Sequence, residues 1–481
     1  MLNRYKFTIK SGCNRFFYIL YTNLMQANIN WSILFSMIFN KKEWSYIFYD
    51  WAESCFTVIV WSFIFPMLYG LLAKNIEGSE SIYGFIVSII SLSVALLSPI
   101  LGTIADYRGY KKRFFLFFFI IGIVFTFLIG FYPADPKFWW MILLPYAVAS
   151  IGYAGTNIFY DSFIVDVTTD ERMDRVSTAG YAFGYLGGST IPLVLAIVLL
   201  QVIPGFTTDG ILTIGSLSIP YDVYTGFRIT FFMTGIWWLV FSIPFLKNVK
   251  QEYGITPEPN PVLNSFKRLF HTFKNIKLYT PVFLFLIAYF FYIDGVHTII
   301  AMAVPFASNA VDGITADNAT ATLLPILLAI QAAAFFFALL FAALAKRFRT
   351  RTLLLATLVI YCGIAVYALF VTKVGHFWIL GMLVATSQGA VQSLSRSYYG
   401  KIIPKNMANE FFGFYTIFGR FAAVMGPTLV GGISLLVLKT FGEQKGGTMR
   451  YGVLSLVVLF IIGGILFIVS ERKAKNHAGR T

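Results

Sequence analysis

Charge and cysteine are scarce in this chain of 481 residues. Asp, Glu, Lys and Arg make up only 12% of it, about half the share of soluble domains. Apolar residues make up 58%, and mean hydropathy is +0.73. That balance excludes an ordinary soluble globular protein and points to a helical membrane protein with many spans. The three cysteines, Cys13, Cys55 and Cys362, are far apart, so neither a disulfide framework nor a metal cluster is expected. No cofactor is expected either. No cleavable apolar leader with a small-residue cleavage site opens the sequence. No glycine-rich loop ending in lysine is present to cradle the phosphates of ATP, which argues against an ATP-driven pump.

What the chain has in abundance is long apolar runs. Twelve stand out, at about 46–73, 81–105, 113–132, 138–160, 176–203, 226–246, 280–308, 320–345, 352–372, 375–399, 410–438 and 449–470. Each can cross a hydrocarbon core of about 30 Å as a helix. Gly and Pro inside them, as in "GYAFGYLGGSTIP" (180–192), suit close helix packing.

The basic residues then give the topology. With an even number of spans both termini share one side. Of the 37 Lys and Arg, 29 fall on that side, counting Arg396 with the loop after the tenth run. Seven fall on the other side, and Arg420 lies within a run. By the positive-inside rule both termini are cytoplasmic. The net charge of +15 therefore reports topology, and nucleic acid is not an expected partner. The expected location is a multi-pass position in the cell membrane, the inner one in a bacterium.

Residues 247–279 form the longest charged connection and divide the chain into six spans and six. "TPEPNP" (256–261) cannot be helix interior. In "LNSFKRLFHTFKNIK" (263–277), Leu263, Phe266, Phe270 and Phe273 share one helical face, with Lys267, Arg268, Lys274 and Lys277 mostly away from it. This reads as a helix lying on the membrane surface. The organisation expected is an extension at 1–43, a six-helix half at 44–246, a linker at 247–279, a second half at 280–472 and a tail at 473–481. Segment 16–39 is apolar but broken by Asn23, Gln26, Asn28 and Asn30. It reads as a surface-lying extension, with a thirteenth span as the alternative.

The two halves echo each other. "FYDWAES" (48–54) stands beside "FYIDGVHT" (291–298), and "GTIADYRGYKK" (102–112) beside "AALAKRFRTRT" (342–352). Twelve spans in two repeats is the plan of a major facilitator transporter, an all-α membrane fold. In the first short loop Gly102 permits close packing. Asp106, with Arg108, Gly109 and Lys111, forms a charge cluster able to latch the halves. The plain alternative is a tight basic turn.

Several polar residues lie inside the runs. Asp50 and Glu53 share a helical face with Ser54, Thr57 and Trp61. A lipid-facing carboxylate costs about 2.5–3.5 kcal/mol, so this face is expected to line a cavity. For Asp50 a helix-cap role is equally open. Asp161, near the end of the fourth run, should reach comparable depth, while Asp166 is expected to be merely solvated. Asp294 and His297 share one face of the seventh run, where Gly295 permits a break. Gln388 and Gln392 offer neutral donors and acceptors on the tenth, or else bond helix to helix. Arg420 needs a carboxylate, carbonyls or a substrate anion as its partner, and Asp294 is one candidate.

Five stretches carry a specific resemblance: "YDWAESCFTVIVWSFIFPMLYG" (49–70), "SPILGTIADYRGYKKR" (98–113), "FYDSFIVDV" with "RVSTAGYAFGYLGG" (159–188), "YFFYIDGVHTI" (289–299) and "QSLSRSYYGKIIPKNMANEFFGFYTIFGRFAAVMGP" (392–427). In these the chain resembles the vacuole effluxer-like branch, or UMF family, of the major facilitator superfamily. The resemblance implies a transporter, and some fungal relatives export amino acids from the vacuole. The chain departs from the family in carrying Glu53 and Asp161 where amides are usual and His297 where Gln is usual. Arg420 stands for the family's usual Lys, and Tyr107 and Tyr110 stand where the general superfamily loop motif expects Arg. Three amides have become titratable groups, which favours coupling to protons or another cation. The expected partners are a small-molecule solute, that cation and the bilayer, with the protein a monomer. The rival readings are a membrane-embedded enzyme or lipid-handling protein and a non-transporting sensor. An enzyme lacks a catalytic set, since the one sizeable outer loop (204–226) holds Asp209 and Asp222 but no His or Cys.

Overall fold

A computed structural model describes residues 39–478, apart from 134, 208–209, 215–216, 315–318, 423–424 and 443–446. The expected extension at 1–43, with segment 16–39, falls almost wholly outside the described residues. Among the described residues, twelve helical spans are long and apolar enough to cross a membrane. They are Lys41–Leu72, Ser79–Ala105, Tyr110–Ile129, Pro136–Ser162, Asp170–Phe206 and Val223–Asn248, then Lys277–Ala301, Thr322–Leu344, Thr350–Phe370, Val374–Ile402, Lys405–Phe441 and Met449–Ala474. They are numbered 1 to 12 below. The loop after span 5 adds a small hairpin, β1 (Ile211–Ile214) paired antiparallel with β2 (Leu217–Pro220).

Local chemistry sets where the spans begin and bend. Asn40 and Glu43 form a reciprocal cap at the start of span 1. The Glu43 amide donates to Asn40 Oδ1 (2.9 Å), and the Asn40 amide donates to Glu43 Oε2 (2.8 Å). Glu43 is also gripped by Arg172 at the start of span 5, with both contacts at 2.7 Å, so the cap fixes two spans together. Further along, span 1 widens into a π turn over Thr57–Ser62, and span 5 does so over Gly184–Thr190. Such turns often mark functional positions. There, Gly184 and Gly188 let span 5 press against Ser54 of span 1. Span 7 stays regular through Gly295, which packs on Phe460. The break expected at Gly295 comes instead at Met302, before a short helix at Ala303–Ala310.

The two sets of six spans meet along two close seams at the end of the bundle that carries the linker, and span 5 also packs on span 8 further in, where Phe183 meets Phe335 edge-on at 6.0 Å. At the first, spans 2 and 11 cross backbone to backbone. Any Cβ on Gly102 would overlap the Asn409 carbonyl, and one on Gly413 would lie 2.7 Å from Pro99. Ser98 donates across the seam to the Gly413 carbonyl (3.0 Å). At the second, spans 5 and 10 are stitched by Ser177 to the Ser393 carbonyl (2.8 Å) and by Ser397 to Asp174 (2.6 Å). Asp174 also takes Thr350 (2.6 Å) and Lys401 (2.7 Å).

The linker folds back onto this closed end. Its helix, Pro261–Lys274, exposes Leu263, Phe266 and Phe270 while burying Ser265 and Thr272. Asp166 is not solvated as its place near a loop suggests. It is buried against Lys111 (2.6 Å) and accepts the amides of Glu252 (2.8 Å) and Tyr253 (2.9 Å). The returning linker covers it, and pairing with Lys111 satisfies a charge that burial alone would penalise.

Candidate functional site

A cavity of about 910 Å³ runs between the halves. It starts at the closed seams and extends to Ala301 at the far end of span 7 and Phe377 near the far start of span 10. It is thus closed at the linker end and reaches toward the opposite one.

Its floor is an ionic knot. Arg396 of span 10 donates through Nη2 to Asp50 of span 1 and through Nη1 to Asp161 of span 4, each at 3.1 Å. Its Nε donates to Ser177 Oγ at 2.9 Å. The guanidinium lies over the rings of Tyr181 (4.6 Å), Tyr46 (5.3 Å) and Tyr160 (5.4 Å). Planar, permanently charged and five-donor, it suits a site holding two carboxylates among aromatic faces. The Arg396 side chain is 2% exposed, against 7% for Asp50 and 24% for Asp161. Asp161 therefore presents more of its edge to the cavity than Arg396, which touches the lining while staying almost wholly buried. Because Arg396 comes from the second half and its partners from the first, this knot also ties the halves together.

Glu53 sits above it without a cation. Asn157 Nδ2 donates to Oε2 (3.2 Å) and Ser54 Oγ to Oε1 (3.3 Å). Both are neutral donors, and no ion pair to Glu53 is formed among the described residues. Thr57 Oγ1 shares a 2.6 Å hydrogen bond with the Tyr153 hydroxyl. Trp61 donates to Ser150 (3.0 Å) and meets Tyr153 edge-on at 4.7 Å. Asp50, Glu53, Thr57 and Asp161 thus meet on one wall. His297, Gln388 and Gln392 face them from the second half.

Asp294 and Arg420 stand differently. Asp294 is buried beside Thr298 and Gly426 and is not part of the cavity lining. The two are not an ion pair. Instead the Arg420 guanidinium lies over the Trp61 ring at 4.8 Å, and Tyr153, Tyr289 and His297 are its electrostatic neighbours. Asp294 and His297 are three residues apart, yet one turns into helix packing and the other into the cavity.

Of the gating-loop residues, Gly102 and Asp106 lie at the first seam, while Lys111 pairs instead with Asp166. Asp106 Oδ1 accepts the Asn409 amide (2.8 Å) and side chain (3.0 Å), both at the start of span 11. Oδ2 accepts the Glu410 amide (3.3 Å) and Arg268 of the linker helix (3.1 Å). A carboxylate at a helix start is favourably placed. Gly109 takes a left-handed φ of +84°, which glycine adopts without strain, and its amide donates to Gln251 (2.9 Å). The Arg108 amide bonds the Ile255 carbonyl (3.0 Å), while its side chain stays exposed and takes no part in the knot.

Sequence reasoning did not single out Arg396, although "QSLSRSYYG" contains it. It had been grouped with the loop charges. An arginine within an apolar span, next to two serines, was the signal available.

A family model for "Vacuole effluxer Atg22 like" proteins matches residues 75–479. The chain belongs to the vacuole effluxer Atg22-like family. It is 43% identical over 432 residues to the uncharacterized MFS-type transporter YxiO of Bacillus subtilis, covering 89% of this chain and 94% of the relative. Autophagy-related protein 22 of Coccidioides immitis is 23% identical, over 83% of this chain and 73% of the relative. Among solved structures, an outward-facing bacterial homologue of the iron transporter ferroportin has a TM-score of 0.60 at 14% identity, over 90% and 99% of the two chains. The outward conformation of the transporter FucP has 0.58 at 13%, over 89% and 97%. These likenesses show the major facilitator fold. This family member is an integral, multi-pass, major facilitator-type transporter.

Proposed function

We propose that this Atg22-like transporter moves a small polar or zwitterionic solute by alternating access, with amino acids or short peptides as the leading class. The observation that carries this reading is the polarity of the cavity wall. Glu53 is a carboxylate held only by neutral donors, and Arg420, behind the cavity-lining Trp61 rather than in the lining itself, is a guanidinium with no acid partner among the described residues. An ammonium at Glu53 and the edge of Asp161, with a carboxylate reaching Arg420, would neutralise both ends of a zwitterion. Leaving Glu53 buried and charged is costly, so its neutralisation by a proton or by the solute's ammonium is favourable. This exclusive choice is the basis for coupling to protons. The family's description as vacuole effluxers agrees with export. The linker end is assigned to the cytoplasm, where 29 of 37 basic residues gather. The described state then faces outward.

Uptake into proteoliposomes is the test. Radiolabelled amino acids and dipeptides are offered with and without a pH gradient. Accumulation of a zwitterion that collapses when the gradient is removed is expected. Transport confined to solutes without an amino group would overturn the reading.

A further inference from the structure

The linker helix touches both halves at once. Arg268 donates through Nη2 to Asp106 (3.1 Å) and to the Thr103 carbonyl (2.5 Å), both in the first half. Through Nε it donates to Glu410 of span 11 (3.1 Å), which also takes Thr272 Oγ1 (2.5 Å). One helix face thus forms the third member of a knot whose other two members separate when this end opens. Its opposite face is uncovered. Val262, Leu263 and Phe266 are about half exposed, and Phe270 is 71% exposed. Lys267, Lys274 and Lys277 are exposed on the same helix and just after it. The helix packs at the level of Thr103, in the last turn of span 2. That is the depth at which a membrane-crossing helix leaves the bilayer.

We infer that the linker helix is an anionic-lipid-binding clamp whose occupancy holds the linker end closed. The occupant is the bilayer surface. Apolar side chains directed outward at headgroup depth, bordered by three lysines, match an interfacial helix on an acidic leaflet. Phosphate headgroups attract the lysines, and Phe270 enters the boundary between headgroups and acyl chains. This fixes the helix axis and keeps Arg268 aligned between Asp106 and Glu410. The inference assumes alternating access but no particular cargo, so it can fail while the solute assignment stands, and the reverse.

The experiment uses the full chain, with its native cysteines replaced, in nanodiscs of phosphatidylcholine alone or with one-third phosphatidylglycerol. Spin labels at Arg108 and Asn406, both exposed beside the seam, report the open and closed populations. An environment-sensitive fluorophore at position 270 reports burial in lipid. The closed-to-open ratio is expected to rise about fivefold with phosphatidylglycerol, the effect of one lysine's attraction to the surface. The triple variant Lys267→Gln, Lys274→Gln, Lys277→Gln loses that rise. Arg268→Gln also loses it while the fluorophore stays in lipid, which separates clamping from docking. Equal ratios in the two lipids, or a wild-type response from the triple variant, overturn the inference. A water-exposed fluorophore also overturns it, since the face then serves another occupant.

Discussion

Gly102 lies so close to Asn409 that no side chain fits between the two backbones. The contact joins residues 307 positions apart in sequence, and it closes the linker end between spans 2 and 11. Glycine here gives the two helices their close approach. Replacing it with alanine forces the Cβ into the Asn409 carbonyl, and relief requires the seam to part. Gly102→Ala is therefore expected to shift the protein toward the form open at the linker end. Thiol accessibility at a cysteine placed on Ser98, buried in the seam, measures this. Accessibility equal to that of the unsubstituted protein would mean that the seam absorbs the methyl.

The same end carries a second, electrostatic prediction. Asp106 accepts four hydrogen bonds, one of them from Arg268. Asp106→Asn keeps the shape but loses the charge that Arg268 and the start of span 11 attract. The distance distribution between Arg108 and Asn406 labels should broaden toward longer values. An unchanged distribution would leave Asp106 as a turn residue.

Much of this architecture could be read from the sequence, and the reason is physical. A hydrocarbon core demands about 20 apolar residues per span, so the runs announce themselves; the expected 81–105 and 226–246 compare with Ser79–Ala105 and Val223–Asn248 in the fold. The cavity wall was partly legible because Asp50, Glu53 and Thr57 share one short helical stretch. Arg396 was not. Its partners lie 346 and 235 residues away, and proximity of that kind leaves no local period. Asp166 was misplaced for a related reason. Its burial depends on a linker that returns from 86 residues downstream.

Arg396 offers the sharpest stability prediction. Arg396→Ala leaves Asp50 and Asp161 beside each other without their cation, at a cost of roughly 3–5 kcal/mol. Thermal unfolding in detergent should show a clear fall in Tm. Arg396→Ala combined with Asp50→Asn and Asp161→Asn should recover most of it, since no uncompensated charge remains. A triple variant no better than the single one would mean that the stacking on Tyr46, Tyr160 and Tyr181 outweighs the ion pairs.

Coupling is tested at the acids of the wall. Glu53 has neutral donors only, whereas Asp161 is shared with Arg396. Glu53→Gln should abolish accumulation driven by a pH gradient while sparing exchange of solute for solute. Asp161→Asn should impair both, because it also loosens the knot. Gradient-driven accumulation by the Glu53→Gln protein would move the proton site elsewhere.

Arg420 separates solute binding from scaffolding. An ion pair with Asp294 would make Arg420→Ala destabilising by leaving a buried acid unpaired, but the two residues are not paired. Arg420 rests on Trp61 instead, a contact worth about 0.5–2 kcal/mol. Arg420→Ala should therefore fold and insert with only a modest fall in Tm, and it should lose binding of zwitterionic solutes. Arg420→Lys keeps the charge but gives up the planar fork that grips a carboxylate with two hydrogen bonds, so its affinity should lie between the two. Binding to the purified variants, set beside their unfolding curves, provides the comparison. Full affinity in a stable Arg420→Ala protein would remove the cationic end of the proposed site and leave Glu53 to recognise an amine alone.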